Sequence, residues 1–231
     1  MRPLQAPEAT KEKVACIGSG PASLACAAKL AMKGYKVTVF EERDKIGGML
    51  TYGIIPSRLP QEVVEQDVQH VKDLGVEFVL NTKVGRDITI DELRKQGYKA
   101  FFIGTGMWTP KMIDIPGADL KGVMTAMDFL PAAKSSNGNV EIGENVIVIG
   151  GGDVAMDCAA TARLLGAKKV TVVYRRTIEE APANRAEIQF VQSLGVGFSL
   201  QFRPAEIIGK DGKVTAFKAV GVDGESEILL K

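Results

Sequence analysis

Val14-Ala15-Cys16-Ile17-Gly18-Ser19-Gly20-Pro21-Ala22-Ser23 and, about 130 residues later, Val146-Ile147-Val148-Ile149-Gly150-Gly151-Gly152-Asp153-Val154-Ala155 decide the fold of this chain. Each is a short apolar run that enters a glycine-rich turn and leaves it as a helix. The first helix is Ala-rich, spans residues 21–33 and is ended by Gly34; a second apolar strand follows at residues 36–40. The later helix spans residues 153–165, is stopped by Gly166, and is followed by a strand at residues 169–174. Such strand–turn–helix–strand runs are βαβ units built around parallel sheets. Two of them predict an α/β chain with two Rossmann-like dinucleotide-binding domains, each a three-layer arrangement about a parallel sheet.

Outward from these units, residues 41–60 are rich in Gly, Pro and Arg and too long for a plain connector, which points to a binding role. Helical spacing returns through Val63, Val64, Val68, Val71 and Leu74, and Gly75 ends it before a strand at residues 76–80. A short helix over residues 91–96 precedes a buried strand over residues 100–103 that enters Gly104-Thr105-Gly106. The pattern loosens at residues 108–116, and residues 134–143 are a polar Ser/Asn/Gly stretch, where the domain crossing is expected. The expected division is therefore a tail at 1–13, a first domain at 14–135 and a second at 136–231. Late in the chain, a helix at 185–194 and a strand at 197–202 precede the turn Lys210-Asp211-Gly212-Lys213 between two strand-like runs. That turn predicts an antiparallel hairpin appended to the parallel sheet.

Composition narrows the function. The 231 residues are 45% hydrophobic and 25% charged with a net charge of +1, and no long basic run offers a nucleic-acid footprint. The first 13 residues lack the apolar core of a signal peptide, and no apolar run nears the roughly 18 residues of a membrane helix, so a cytoplasmic protein is expected. Cys16, Cys26 and Cys158 form no C-x-x-C pair and read as small buried apolar residues. His70, the single histidine, falls in the amphipathic helix at its surface or partly buried.

The chemistry lies in the two turns. Gly18 permits the tight turn, and Gly20 lets backbone approach a pyrophosphate at the positive end of the following helix. Ser23 stands at the third motif position, where a small residue allows close helix–strand packing. Glu41 closes the second strand 21 residues after Gly20, where an acid accepts hydrogen bonds from ribose hydroxyls. In the second unit, Gly150 and Gly152 play the glycine roles, but Tyr174 is followed by Arg175-Arg176. Two guanidinium groups at that place favour a ribose 2′-phosphate, hence NADPH over NADH. Arg185 is a weaker third candidate. Asp153 and Asp157 stand one helical turn apart, so one is expected to face the ligand while the other caps or is solvated.

With these residues in view, the chain resembles the FAD/NADPH electron-input module shared by the glutamate synthase small subunit and dihydropyrimidine dehydrogenase. The resemblance extends to Gly47-Gly48-Met49, Ile55-Pro56-Ser57-Arg58-Leu59-Pro60, Asp73-Leu74-Gly75-Val76, Gly97-Tyr98-Lys99-Ala100, Gly104-Thr105-Gly106, Gly150-Gly151-Gly152-Asp153-Val154-Ala155-Met156-Asp157 and Tyr174-Arg175-Arg176. It implies FAD held by residues at Gly18, Gly20, Pro21, Ala22, Ser23, Glu41, Gly48, Met49 and Arg58, with Val84 at the adenine end. Thr105 and Gly106 would make the second flavin-side contact, at the crossing to the nucleotide domain. Gly150, Gly152, Asp153, Val154, Arg175 and Arg176 would hold NADPH. The implied reaction is hydride transfer between nicotinamide and flavin, with no general acid or base and no metal ligand in this chain.

Two departures from the family shape the expectation. Only residues 1–13 precede the first strand, where the family carries a cysteine-rich iron–sulfur segment, so such clusters are expected on a partner segment or subunit. The chain also stops at Lys231, where the family returns to close the flavin site, which reads as a fragment or one piece of a split enzyme. The Gly-Gly-Gly-Asp run leans toward the pyrimidine-reductase relatives. A thioredoxin-reductase-like reading is disfavoured by the missing C-x-x-C. The alternative from a different class is a non-catalytic nucleotide-binding or assembly fragment, and self-association is an accompanying expectation.

Overall fold

The first five-residue strand, β1 (Lys13–Ile17), and its neighbour β2 (Lys36–Phe40) bury four consecutive residues each, the mark of a parallel sheet covered on both faces. In the computed structural model, which describes residues 6–135 and 140–231, they are joined by α1 (Pro21–Ala31). Pro21 sits at the first helical position, where its missing N–H costs nothing. A short helix α2 (Met49–Tyr52), the longer α3 (Gln61–Asp73), β3 (Glu77–Val79), α4 (Ile90–Lys95) and β4 (Tyr98–Ile103) complete this part. The all-parallel strand order is β3-β2-β1-β4. Cys16, Ala27, Val37 and Val39 form the core between β1, β2 and α1; Ala15, Phe40, Leu93 and Tyr98 form it on the α4 side. Thr89 and Glu92 close α4 with a reciprocal capping box.

The chain divides into two compact units, Met1–Trp108 and Thr109–Lys231. This boundary lies upstream of the crossing expected at residues 134–143, of which 136–139 fall outside the described residues, and beside the Gly104-Thr105-Gly106 loop. Residues 109–135 join the second unit for a physical reason: Ile115, Ala118, Leu120 and Val123 pack on Val173, Ile207 and Phe217. The helix α5 (Ala126–Ser135) packs on α6 (Asp153–Leu164). Pro131 inside α5 obscures its helical signal; Thr125, which accepts from the Asp128 N–H at 3.2 Å, starts it.

In the second unit β5 (Asn145–Ile149), β6 (Lys169–Tyr174) and β7 (Gly197–Leu200) form a parallel sheet in the order β5-β6-β7, with α7 (Arg185–Ser193) between the last two. The expected antiparallel hairpin is present as β8 (Phe202–Lys210) and β9 (Lys213–Gly221), turned by Asp211 and Gly212, both at positive φ. It is one strand richer than expected, because β10 (Glu227–Leu230) pairs antiparallel with β9. The three strands are a sheet of their own rather than an extension of the parallel one. The strand at residues 98–103 is also less buried than its apolar sequence implied: β4 pairs with β1 on one side, and Ile103 is 70% exposed. No helix among the described residues is long and apolar enough to cross a membrane.

Candidate functional site

Each parallel sheet ends in a glycine turn at the carboxyl edge of its strands, the place where open α/β sheets receive ligands. In the first unit the Gly18 N–H donates to the Phe40 carbonyl and the Gly104 N–H to the Ile17 carbonyl, both at 2.8 Å, so the ends of β1, β2 and β4 are tied together. A Cβ on Gly18 would fall 2.6 Å from the Gly104 oxygen, and one on Gly48 would fall 2.8 Å from the Gly20 Cα. Bare backbone therefore meets bare backbone at the start of α1. Gly20 caps that helix from an extended conformation and offers no side-chain cap, leaving the first-turn N–H groups at Pro21–Ser23 without a capping side chain. Proline contributes none, so Ala22 and Ser23 carry the anion-binding donors, and the helix dipole adds to them. Pro21 and Ala22 are exposed there.

Ser23 lies differently from a hydroxyl donor to ligand. It is fully buried, and its Oγ has no hydrogen-bond partner among the described residues. A Cβ on Gly104 would collide with that Oγ. Ser23 thus acts as the small packing residue of the third motif position, and what it can offer a ligand is its N–H.

Glu41 is 6% exposed, and three hydrogen bonds place its carboxylate. Its Oε2 accepts from the Ser19 N–H at 2.9 Å and the Ser19 hydroxyl at 2.6 Å, and its Oε1 accepts from the Arg43 N–H at 2.9 Å. The Glu41 carbonyl in turn accepts from the Thr82 N–H at 2.8 Å, which draws the loop bearing Val84 to the same end of the sheet. Val84 itself packs against the Ala15, Phe40, Leu93 and Tyr98 core. Gly48, at φ +55°, precedes α2, so Met49 opens that helix; Arg58 is exposed in the turn before α3, its N–H donating to Ile55 at 3.0 Å. Thr105 and Gly106 follow Gly104 and are exposed.

A feature that the sequence reading passed over holds this loop in place. The Arg43 guanidinium lies 3.8 Å over the Trp108 ring and 4.8 Å over Tyr52, and the two rings meet edge to face at 6.3 Å. The Tyr52 hydroxyl donates to Asp44 at 2.7 Å and accepts from the Lys45 N–H at 3.0 Å. That bond holds the Asp44 carboxyl below its usual range, while burial pushes the Tyr52 phenol up. The sequence signal was available as Arg43 two residues beyond the acid, with two aromatics in otherwise irregular loops.

In the second unit Gly150 bends at φ +139° with its N–H on the Val173 carbonyl, and Gly152 caps α6. A Cβ on Gly151 would strike the Tyr174 ring at 2.6 Å. Residues 177–184 fold back over this turn: the Ala183 N–H donates to the Gly151 carbonyl at 3.1 Å, and the Asn184 N–H to Asp153 at 2.8 Å. Of the two acids on α6, Asp153 thus caps the returning loop and Asp157 is buried. Val154 is 52% exposed at the helix start. Arg175 and Arg176 follow β6 with exposed side chains, and Arg185 opens α7, where it lines a cleft of about 250 Å³ with Glu179, Ile188 and Gln192. The Cys16 and Cys158 thiols are each pushed up to about 12, chiefly by burial, as suits inert packing residues.

The family model for pyridine nucleotide-disulphide oxidoreductases matches residues 12–229. The chain belongs to this family. Among curated proteins it is 40% identical over 222 residues to the glutamate synthase [NADPH] small chain of Escherichia coli (strain K12), covering 91% of this chain and 47% of that one. It is 37% identical over 216 residues to the NAD-dependent dihydropyrimidine dehydrogenase subunit PreT of the same organism, covering 94% and 51%. The chain therefore spans about half the length of these family members. Mycobacterium tuberculosis FprA, solved in complex with NADPH, superposes with a TM-score of 0.80 at 20% identity over 95% of this chain and 68% of that one, a likeness of fold.

Proposed function

We propose that this chain is the NADPH-linked flavoprotein module of a larger oxidoreductase: the first unit holds FAD, the second NADPH, and electrons pass to or from iron–sulfur centres on a partner segment or subunit. The observation that carries the reading is the different ending of two similar cradles, a buried, pre-oriented carboxylate at Glu41 and two exposed guanidinium groups at Arg175 and Arg176. A carboxylate accepts from a ribose diol and repels a phosphate; paired arginines do the opposite. The names of the curated relatives agree on a dinucleotide-linked oxidoreductase and divide between NADPH and NAD. The arginines favour NADPH here.

The residues present fit both groups. In the first unit, a Cβ at Gly20 would meet only the Gly104 oxygen, at 4.0 Å, so the space it would fill is open to a pyrophosphate approaching the backbone. Ala22 and Ser23 N–H groups would bind it, Glu41 would orient the ribose, and Gly48, Met49, Arg58, Val84, Thr105 and Gly106 would line the remainder. In the second, the α6 start at Gly152, Asp153 and Val154 would receive the pyrophosphate and Arg175 and Arg176 the 2′-phosphate, with Asp153 bracing the loop that flanks them. When both are bound, the cofactors supply hydride transfer between nicotinamide C4 and flavin N5; the protein supplies placement and electrostatics.

The test is an absorbance spectrum of the purified chain, reconstituted with FAD and then given NADPH or NADH without air. Flavin bands near about 375 and 450 nm that bleach faster with NADPH are expected. A chain that binds NADPH but takes up no flavin would overturn the assignment of the first unit. Flavin bleached equally well by NADH would overturn that of Arg175 and Arg176.

A further inference from the structure

Ser19 belongs to no part of the motif that demands its side chain, yet it is 1% exposed and its hydroxyl both donates and accepts a hydrogen bond. Its Oγ donates to Glu41 Oε2 at 2.6 Å and accepts from the Gly47 N–H at 3.2 Å; the same Gly47 N–H also reaches the Ser19 carbonyl at 3.1 Å. One residue therefore knits together the glycine turn, the acid at the end of β2 and the Gly47-Gly48 loop that approaches Gly20.

We propose that Ser19 is a positioning residue for the adenosine ribose: its hydroxyl and N–H lock the Glu41 carboxylate in a single orientation with one acceptor position left on Oε1. The proposal rests on the reading of the first unit as the FAD site. A carboxylate offers about four lone-pair positions. Two on Oε2 are taken by Ser19, and one on Oε1 by the Arg43 N–H. The open position thus belongs to Oε1, and the side chain is ordered before ligand arrives. Ordering a glutamate on binding carries a rotamer-entropy cost. The Ser19 hydroxyl removes part of that cost, because without it the Oε2 end is held by one N–H alone.

The experiment compares the full chain with Ser19→Ala and Glu41→Ala, each first saturated with adenosine 2′,5′-bisphosphate to fill the second unit through its arginine pair, and titrates each with ADP and with 2′,3′-dideoxyadenosine diphosphate by calorimetry. Ser19→Ala should weaken ADP about tenfold and leave the dideoxy analogue within about twofold, since the penalty passes through the ribose hydroxyls. A purely structural lesion, such as a loosened Gly47 loop, would weaken both ligands alike and overturn the proposal. Tighter ADP binding by Ser19→Ala would also overturn it, because the hydroxyl would then be competing with the ribose. Glu41→Ala separates the two levels of the argument. If it loses ADP affinity while Ser19→Ala does not, the positioning role falls and the site stands; if neither loses affinity, both fall.

Discussion

Replacing Gly18 by Ala tests the cradle of the first unit against an internal control, Gly75→Ala. The two glycines share a positive φ, +90° and +84°, so each carries a cost of about 1–2 kcal/mol for placing an L residue at such a φ. They differ in surroundings. A Cβ at Gly75, just past the end of α3, meets nothing within 4 Å. One at Gly18 lies 2.6 Å from the Gly104 oxygen, 3.0 Å from its carbon and 3.1 Å from the Thr105 Cα, all of them backbone atoms that no rotamer change can move. Relief requires the end of β4 to move from β1, against the 2.8 Å bond from the Gly104 N–H to Ile17. Overpacking of that kind costs about 1–3 kcal/mol. Gly18→Ala should therefore destabilise the first unit by about 2–5 kcal/mol and Gly75→Ala by about 1–2 kcal/mol. Trp108 is the sole tryptophan and lies in the first unit, so its fluorescence during urea unfolding reports that unit. Equal midpoint shifts at unchanged slope would refute the reasoning, because the Gly18–Gly104 approach would then carry no weight.

Other outcomes follow from the same structure. Arg175→Ala and Arg176→Ala should each weaken NADPH about 10- to 100-fold, the worth of a charge-assisted hydrogen bond, and leave NADH unchanged; fluorescence titration of the reduced nucleotides measures the ratio. Asp87, gripped by Arg86 through two 2.8 Å bonds and by the Lys83 N–H, has its carboxyl lowered to about 2. A folded-state value below the unfolded one means that its stabilisation is present above about pH 4 and is lost as pH falls toward 2. Urea midpoints between pH 2 and 5 should accordingly depend less on pH in Asp87→Asn. The Cys16 and Cys158 thiols, raised to about 12, hold roughly one part in ten thousand as thiolate at pH 8. They should resist a disulfide reagent in the folded chain and react promptly in denaturant, counted by released chromophore.

The parts of this molecule that could be read from its sequence are those whose signal is local. Two apolar runs, each followed by glycines and a helix, specify the parallel sheets because consecutive burial in β1, β2 and β6 needs no knowledge of what lies opposite. The positions of Glu41 and the arginine pair just past the ends of β2 and β6 were legible from spacing, since a strand of known rise delivers its last residue to a fixed place. What was hidden depended on contacts between distant residues. Helix α5 carries Pro131, and its assignment to the second unit rests on packing against α6, so neither its existence nor its side of the boundary could be read from residues 126–135 alone. The role of Asp153 required knowing that residues 177–184 return to the turn. Ser23 was legible as a small packing residue, but that its hydroxyl faces Gly104, 81 positions away in the chain, was not. Ser19 makes the point most sharply: within its own motif it is a spacer between two glycines. Its bonds to Glu41 and Gly47 span 22 and 28 residues, and only when those three loops meet does the spacer become the residue that aims the acid.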